Sequence, residues 1–211
     1  MDIEFYIKAL KSKLEKQLPG IEAQKRMAPT HRINPEYEPN PENAVQSAVL
    51  VLIFPYKSGL GTVLMERTAD TSVHSKQISL PGGKAEDDDL MPEHTALRET
   101  WEEIGVKPEA VEVLGKLSSL FIPVSNFTVI PVVGFLKQMP VFELNAKEVE
   151  LVLVEELDEI INSAGTAEVF AGKFGVCTVP VYLVGGKTVW GATAMILAEF
   201  FTLHLQIKAS Y

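Results

Sequence analysis

"LPGGKAEDDDLMPEHTALRETWEEIGV", residues 80–106, runs a double glycine, four consecutive acids and a proline into a segment that ends with three glutamates in five residues. The second half reads as a helix over residues 92–104. Pro92 suits the first turn because its missing N–H would lack a partner there anyway, and Glu93 faces the positive end of the helix dipole. Gly105 is the expected C-cap, since glycine tolerates the left-handed conformation that ends many helices. At about 100° per residue, Leu97, Thr100, Trp101 and Ile104 fall on one side and Glu99, Glu102 and Glu103 on the other. That crowding is unfavourable on two counts. Like charges three or four residues apart cost roughly 0.2–0.5 kcal/mol per pair. Carboxylates in the last turn oppose the dipole at roughly 0.3–1 kcal/mol each. A solvated acidic face is one reading. The other is a hard divalent cation with oxygen ligands, which would reverse the sign of both terms. Upstream, Gly82-Gly83 can bring backbone close to a ligand through dihedrals closed to other residues.

Outward from this segment the chain reads as a β-rich body. "AVQSAVLVLIF" and "GTVLMER", separated by "PYKSGL", predict a hairpin. "TVIPVVGFL", "VELVLV" and "VCTVPVYLV" are further strand candidates, rich in Val and Ile. A C-terminal helix is expected from about residue 193 to 207, and a short one over "EELDEIIN". At the other end, Ile3, Ile7, Leu10 and Leu14 recur at helical spacing, predicting an amphipathic helix over residues 2–17 that Pro19-Gly20 ends. Residues 29–41, rich in Pro, Asn and Glu, read as an extended connector. The expected organisation is therefore an arm over residues 1–42, helix plus connector, and a domain over residues 43–211. Strands and helices mix without regular βαβ alternation, so the fold class is α+β, a mixed β-sheet with helices packed on it.

The bulk numbers narrow the function classes. A net charge of −9 argues against a nucleic-acid surface, and an anionic substrate would need local cations. The opening residues mix charge into every turn, so no signal peptide is expected, and no apolar run approaches the roughly 18 residues of a membrane helix. One cysteine, Cys177, fits a reducing cytoplasm and is expected to be a buried structural thiol.

Residues 82–106 resemble the Nudix box, G-x5-E-x7-R-E-U-x-E-E-x-G-U with U aliphatic. Arg98, Glu99, Glu102, Glu103, Gly105 and Val106 match at the right spacing. The interval from Gly83 to Arg98 is one residue longer than the general pattern, the upstream acid falls near Asp89 or Leu90, and Thr100 stands where an aliphatic residue is usual. The longer interval resembles the coenzyme A pyrophosphatase subgroup. In the place of that subgroup's upstream signature lies "VLMERTADTSVHSKQISLPGG", with Arg67, His74, Gln77 and Pro81-Gly82-Gly83 kept; Lys76 and Leu80 depart from it. "VWGATAMIL", residues 189–197, resembles a further subgroup segment.

The resemblance implies a Nudix hydrolase, with the mixed sheet sandwiched between helices, that cleaves a diphosphate linkage with Mg²⁺ or Mn²⁺. The implied substrate is coenzyme A or a derivative, split to 3′,5′-ADP and 4′-phosphopantetheine. ADP-ribose, an ADP-sugar or a dinucleotide is the alternative, and a catalytically silent nucleotide-binding module a further one. Glu99, Glu102 and Glu103, with the Gly83 carbonyl, are the implied metal ligands. Arg98 pairs with a box glutamate and orients it. The base that deprotonates water is Glu99 or a glutamate from a later loop, for which Glu148 in "NAKEVELVLV" is suitably placed. Arg67, His74, Gln77, Gly82 and Gly83 would contact substrate. Of the acids at 86–89, most are expected to form a soluble turn. The expected partner is a small-molecule nucleotide, with no nucleic acid and no membrane, and the N-terminal arm is compatible with a homodimer.

Overall fold

The computed structural model describes residues 2–29, 43–68, 77–172 and 175–211. His74 and Lys76, and nearly all of the proline-rich connector, lie outside these residues.

The central strand explains why a long apolar run can be stable without a polar face. β1 (Val45–Tyr56) turns back through Lys57 and Ser58 into β2 (Gly59–Arg67), with Tyr56 opposite Gly59. Lys57 takes a positive φ of 48°, which closes this turn in two residues. On its other side β1 runs parallel to β7 (Phe127–Phe135), pairing from Val45–Phe127 to Ile53–Phe135. Along β1, Val51 and Ile53 enter one hydrophobic cluster while Leu50, Leu52 and Phe54 enter a second. Both faces are covered, so alternation disappears from the sequence. The sheet continues through β3 (Ile78–Ser79) and β8 (Val149–Glu156) on β2, β4 (Gly82–Lys84) on β1, and β5 (Glu112–Lys116) and β6 (Leu120–Ile122) on β7. One parallel pairing among antiparallel ones makes it a mixed sheet, as the residues predict.

Helices cover the two faces. On one lies α3 (Pro92–Ile104), whose Ala96 and Ile104 pack with Leu50, Leu52 and Val63. On the other lie α1 (Ile3–Leu14), α2 (Gly20–Gln24) and α5 (Gly191–Lys208), with Tyr6, Leu10, Phe200 and Leu203 in the larger cluster. The predicted N-terminal helix is thus shorter than residues 2–17: it stops at Leu14 with Glu15 as its cap, and Pro19-Gly20, expected to end it, instead opens a second helix. α4 (Leu157–Asn162) leads from β8 into a separate sheet of β9 (Gly165–Phe170), β10 (Val176–Val184) and β11 (Lys187–Val189). Cys177, on β10 opposite Val169, is half-buried, not buried as expected, because this small sheet is covered less fully than the central one. Among the described residues no helix is long and apolar enough to cross a membrane.

Candidate active site

α3 begins and ends where its sequence dictates. Pro92 occupies the first turn, and Gly105 ends the helix with φ 76°. The side-chain partition differs from the helical-wheel expectation. Trp101 is 52% exposed, whereas Glu103 is only 1% exposed and lies on the buried side with Ala96 and Thr100. The reason is the strand that crosses there. β4 pairs with β1, Gly82 opposite Val49, and its Gly82 N–H donates to Glu103 Oε2 at 2.8 Å. Gly82 holds φ 144°, and a Cβ at that position would strike the Ala48 carbonyl and Val49. At Gly83 a Cβ would strike the Glu99 carboxylate. The double glycine therefore lets two carboxylates of α3 reach the β4 backbone. Thr100, polar where an aliphatic residue is usual, is fully buried with its hydroxyl donating to Ala96 O at 2.6 Å, which removes the cost of an unpaired group.

Two arginines hold these acids. Arg67 Nη1 lies 3.3 Å from Glu103 Oε1. It is the last residue of β2, and the register of β2 against β8 shifts between Glu66 and Arg67, a bulge of the kind that re-aims a side chain. Arg98 spans a larger set: Nη1 reaches Glu99 Oε1 at 3.0 Å and Glu102 Oε2 at 3.2 Å, and Nη2 reaches the Lys84 carbonyl at 3.0 Å. Its firmest partner is Asp89, with Nη2 to Oδ2 at 2.8 Å and Nε to Oδ1 at 3.3 Å. Asp89 is 7% exposed at its side chain, so it is no solvated turn residue. The hydrogen bond from Arg98 lowers its pKa to about 2. Asp89 is a candidate site residue that the acidic run at 86–89 concealed; the signal available was its place, six residues beyond Gly83 in the position of the pattern's upstream acid.

The charge balance leaves the two inner acids short of positive charge. Burial pushes the Glu103 carboxyl up to about 8, against the opposing pull of the Gly82 N–H and Arg67, with the charges of Glu99 and Glu148 adding to the rise. Glu99 is raised as well, by burial first, despite Arg98. Glu148 is exposed, yet its charge is felt at both. It closes a turn whose Asn145 N–H donates to the Glu103 carbonyl at 3.0 Å. Gln77 lies near the same end of β2, its carbonyl accepting from Arg67 N at 3.1 Å.

Which residues could hold a cation follows from these contacts. Glu99 and Glu103 supply hard oxygens, are one turn apart, and are stabilised in ionised form by any added positive charge. Glu102 sits at the rim, 51% exposed and turned to Arg98. Among the described residues no three acidic, histidine or cysteine side chains converge on one point, because Arg98 stands between Glu99 and Glu102 while Gly82 and Arg67 hold Glu103. The fit to a divalent ion is one of donor chemistry and charge.

Comparison with known proteins bears on the same segment. The NUDIX domain family model matches residues 44–173. Nudix hydrolase 3 of Caenorhabditis elegans is 31% identical over 174 residues, covering 74% of this chain and 72% of its own length. Nudix hydrolase 22, chloroplastic, of Arabidopsis thaliana is 34% identical over 206 residues, covering 94% and 65%. The mitochondrial coenzyme A diphosphatase NUDT8 of Homo sapiens is 34% identical over 145 residues, covering 67% and 60%. The last two are matched over less than two thirds of their own length. Among solved structures, a MutT/nudix family protein from Enterococcus faecalis aligns with a TM-score of 0.51 at 19% identity, over 89% of this chain and 77% of that one. A Nudix hydrolase from M. smegmatis aligns with a TM-score of 0.50 at 17% identity, over 79% and 87%. At such identities the likeness is one of fold, a mixed sheet between helices. The chain belongs to the Nudix hydrolase family.

Proposed function

We propose that this chain is a metal-dependent diphosphatase acting on coenzyme A or a derivative, releasing 3′,5′-ADP and 4′-phosphopantetheine. The observation that carries the reading is the pair of inner carboxylates, Glu99 and Glu103, pressed against the Gly82-Gly83 backbone and short of positive charge. A diphosphate needs cationic help at such a place, and the chain's own net charge of −9 does not supply it. Bound there, Mg²⁺ or Mn²⁺ would neutralise the charge that develops on the phosphoryl oxygens.

In this reading Glu99 and Glu103 would hold the ion, and Glu102 and the Gly83 carbonyl would be available as further oxygens. Arg98, itself fixed by Asp89, keeps Glu99 in place. Arg67 orients Glu103 and offers the substrate the part of its guanidinium that remains exposed. Gln77 and His74 complete the substrate side. Water attacks one phosphorus, its proton passes to Glu148 or Glu99, and the bond to the bridging oxygen breaks as the second phosphate leaves. The similarity to a coenzyme A diphosphatase supports the substrate, and the single cysteine supports a reducing compartment such as the cytoplasm.

The test is incubation with coenzyme A, ADP-ribose and diadenosine polyphosphates, with and without Mg²⁺ or Mn²⁺, resolving products by chromatography. 3′,5′-ADP from coenzyme A alone is the expected result. AMP from ADP-ribose in its place moves the chain to the rival nucleoside diphosphate reading. No turnover of any substrate with either metal leaves a silent binding module.

A further inference from the structure

Asn145 uses every hydrogen-bonding group it has. Its backbone N–H donates to the Glu103 carbonyl at 3.0 Å, and its carbonyl accepts from Glu148 N and Val149 N, both at 2.9 Å. Side-chain Oδ1 accepts from Lys147 N at 3.2 Å, an Asx-type turn, and Nδ2 donates to Glu148 Oε1 at 3.0 Å. The same turn is tied to the end of β2. Thr68 N donates to the Glu148 carbonyl at 3.0 Å and the Thr68 hydroxyl to the Lys147 carbonyl at 2.9 Å. Thr68 follows Arg67, whose guanidinium meets Glu103 at 3.3 Å. The links form a closed circuit: Glu103, Arg67, Thr68, Glu148, Asn145 and back to Glu103.

A closed circuit has a consequence that a single contact lacks. Glu148 is exposed, and a glutamate held only by its backbone would sample many rotamers. Here the Asn145 amide holds one carboxylate oxygen, while the backbone on either side is fixed to the helix end and to β2. The satisfied turn also supplies N–H groups to the last carbonyls of α3, from Asn145 to Glu103 and from Glu143 to Ile104 at 3.1 Å. Displacement of the turn would therefore move Glu148 and the end of the carboxylate helix together.

We propose that Asn145 is a positioning residue that fixes the Glu148 carboxylate relative to Glu103, and so sets turnover in preference to substrate affinity. This rests on reading Glu148 as the group that takes the proton from water. Catalytic groups need placement well inside 1 Å, and a misplacement of that size costs about 100-fold in rate.

The test is steady-state kinetics on the full chain with coenzyme A and ADP-ribose in Mn²⁺, for Asn145→Ala, Asn145→Asp, Glu148→Gln and the double variant Asn145→Ala/Glu148→Gln. Glu148→Gln should lower kcat by about 100-fold. Asn145→Ala should lower kcat by about 10-fold or more with KM within about twofold, and should have no further effect in the Glu148→Gln background, because it acts through that carboxylate. Asn145→Asp keeps the Oδ1 acceptor and the turn but cannot donate to Glu148 and sets a second negative charge beside it. It should fall below Asn145→Ala in kcat, with an unchanged melting temperature. If Asn145→Asp turns over like the parent, or the two single losses multiply in the double variant, Asn145 is only a turn former and the inference is overturned. If Glu148→Gln itself turns over like the parent, the assignment of Glu148 fails first. Should Asn145→Ala not fold, the Asp variant still decides.

Discussion

Asp89 grips Arg98 through two nitrogens, Nη2 at 2.8 Å and Nε at 3.3 Å, and this contact decides where the guanidinium's third nitrogen points. With Nη1 left to span Glu99 and Glu102, the arginine is a strut between the acidic turn and the carboxylate helix. Asp89 is in turn fixed by its backbone N–H to the Glu86 carbonyl at 3.0 Å and by the Glu86 N–H to its own Oδ2 at 3.0 Å.

Asp89→Ala should cost about 1.5–3 kcal/mol, the usual worth of hydrogen bonds to charged groups, as read by urea unfolding. Its carboxyl pKa lies below the ordinary aspartate range, so its contribution is complete above about pH 4 and is lost as pH falls through about 2. The freed guanidinium can collapse onto Glu99 and Glu102. The Mn²⁺ concentration for half-maximal activity should therefore rise about 10–100-fold, the usual effect of losing a partner one step behind a metal ligand. An unchanged Mn²⁺ requirement would show that Arg98 needs no help from Asp89.

How far this site can be read from residues alone varies along one helix. Pro92 and Gly105 fix the ends of α3 by local backbone chemistry, and the expected bounds coincide with the observed ones. Which carboxylate turns inward is not local. Glu103 is buried because Gly82, 21 positions upstream, brings an N–H to it, and Trp101 is left exposed as a result. Asp89 could not be told from Glu86, Asp87 and Asp88 by composition, since it is the turn's geometry that brings Asp89 to 2.8 Å from the arginine and leaves Glu86 at 3.9 Å. The strands show the same division. β1, β7, β8 and β10 announce themselves by length and β-branched content, whereas β4 and β6 are three residues each and exist through their pairing partners. His74 lies outside the described residues.

Glu103 should make the metal-free protein less stable as pH rises. Its carboxyl sits at about 8 in the fold against an ordinary value of 4.5, so between those pH values the folded state binds the extra proton. Stability from this group then falls with rising pH across that window. Glu103→Gln removes the titration while keeping an oxygen for the Gly82 N–H. The variant's melting temperature at pH 8 should equal or exceed the parent's without metal, yet kcat should fall by about 100-fold or more, close to 2.7 kcal/mol of transition-state stabilisation. Mn²⁺ should raise the parent's melting temperature more at pH 8 than at pH 5.5 and leave the variant's nearly unmoved. A parent that gains equally at both pH values, or a variant that gains as much as the parent, removes Glu103 from the ion's ligands.

Glu199 shows what joins the N-terminal helices to the rest of the molecule. It is fully buried within α5, and its Oε1 accepts from Gly20 N at 3.0 Å and Ser118 N at 3.2 Å while Oε2 accepts from Gln24 Nε2 at 2.8 Å. The Gly20 N–H opens α2, so the carboxylate takes up one of the donors a helix start leaves without a partner. Glu199→Leu would match the apolar surroundings of Phe200 and Leu203 but take the acceptor from Gly20 N and Ser118 N and leave Gln24 Nε2 only the Ser118 carbonyl at 3.2 Å. The loss should be about 3 kcal/mol or more, at about 1–3 kcal/mol for each donor left without an acceptor. Glu199→Gln, which keeps one acceptor oxygen and turns an NH₂ towards N–H groups, should lose less, about 1–3 kcal/mol. Urea unfolding gives both numbers, and native-state hydrogen exchange locates them: the amides of Ile21 to Gln24 should lose protection before those of β1. If Glu199→Leu unfolds at the parent's urea midpoint, α1 and α2 are held by the apolar contacts of Tyr6 and Leu10 and the burial of Ala23, and the carboxylate contributes nothing to docking them.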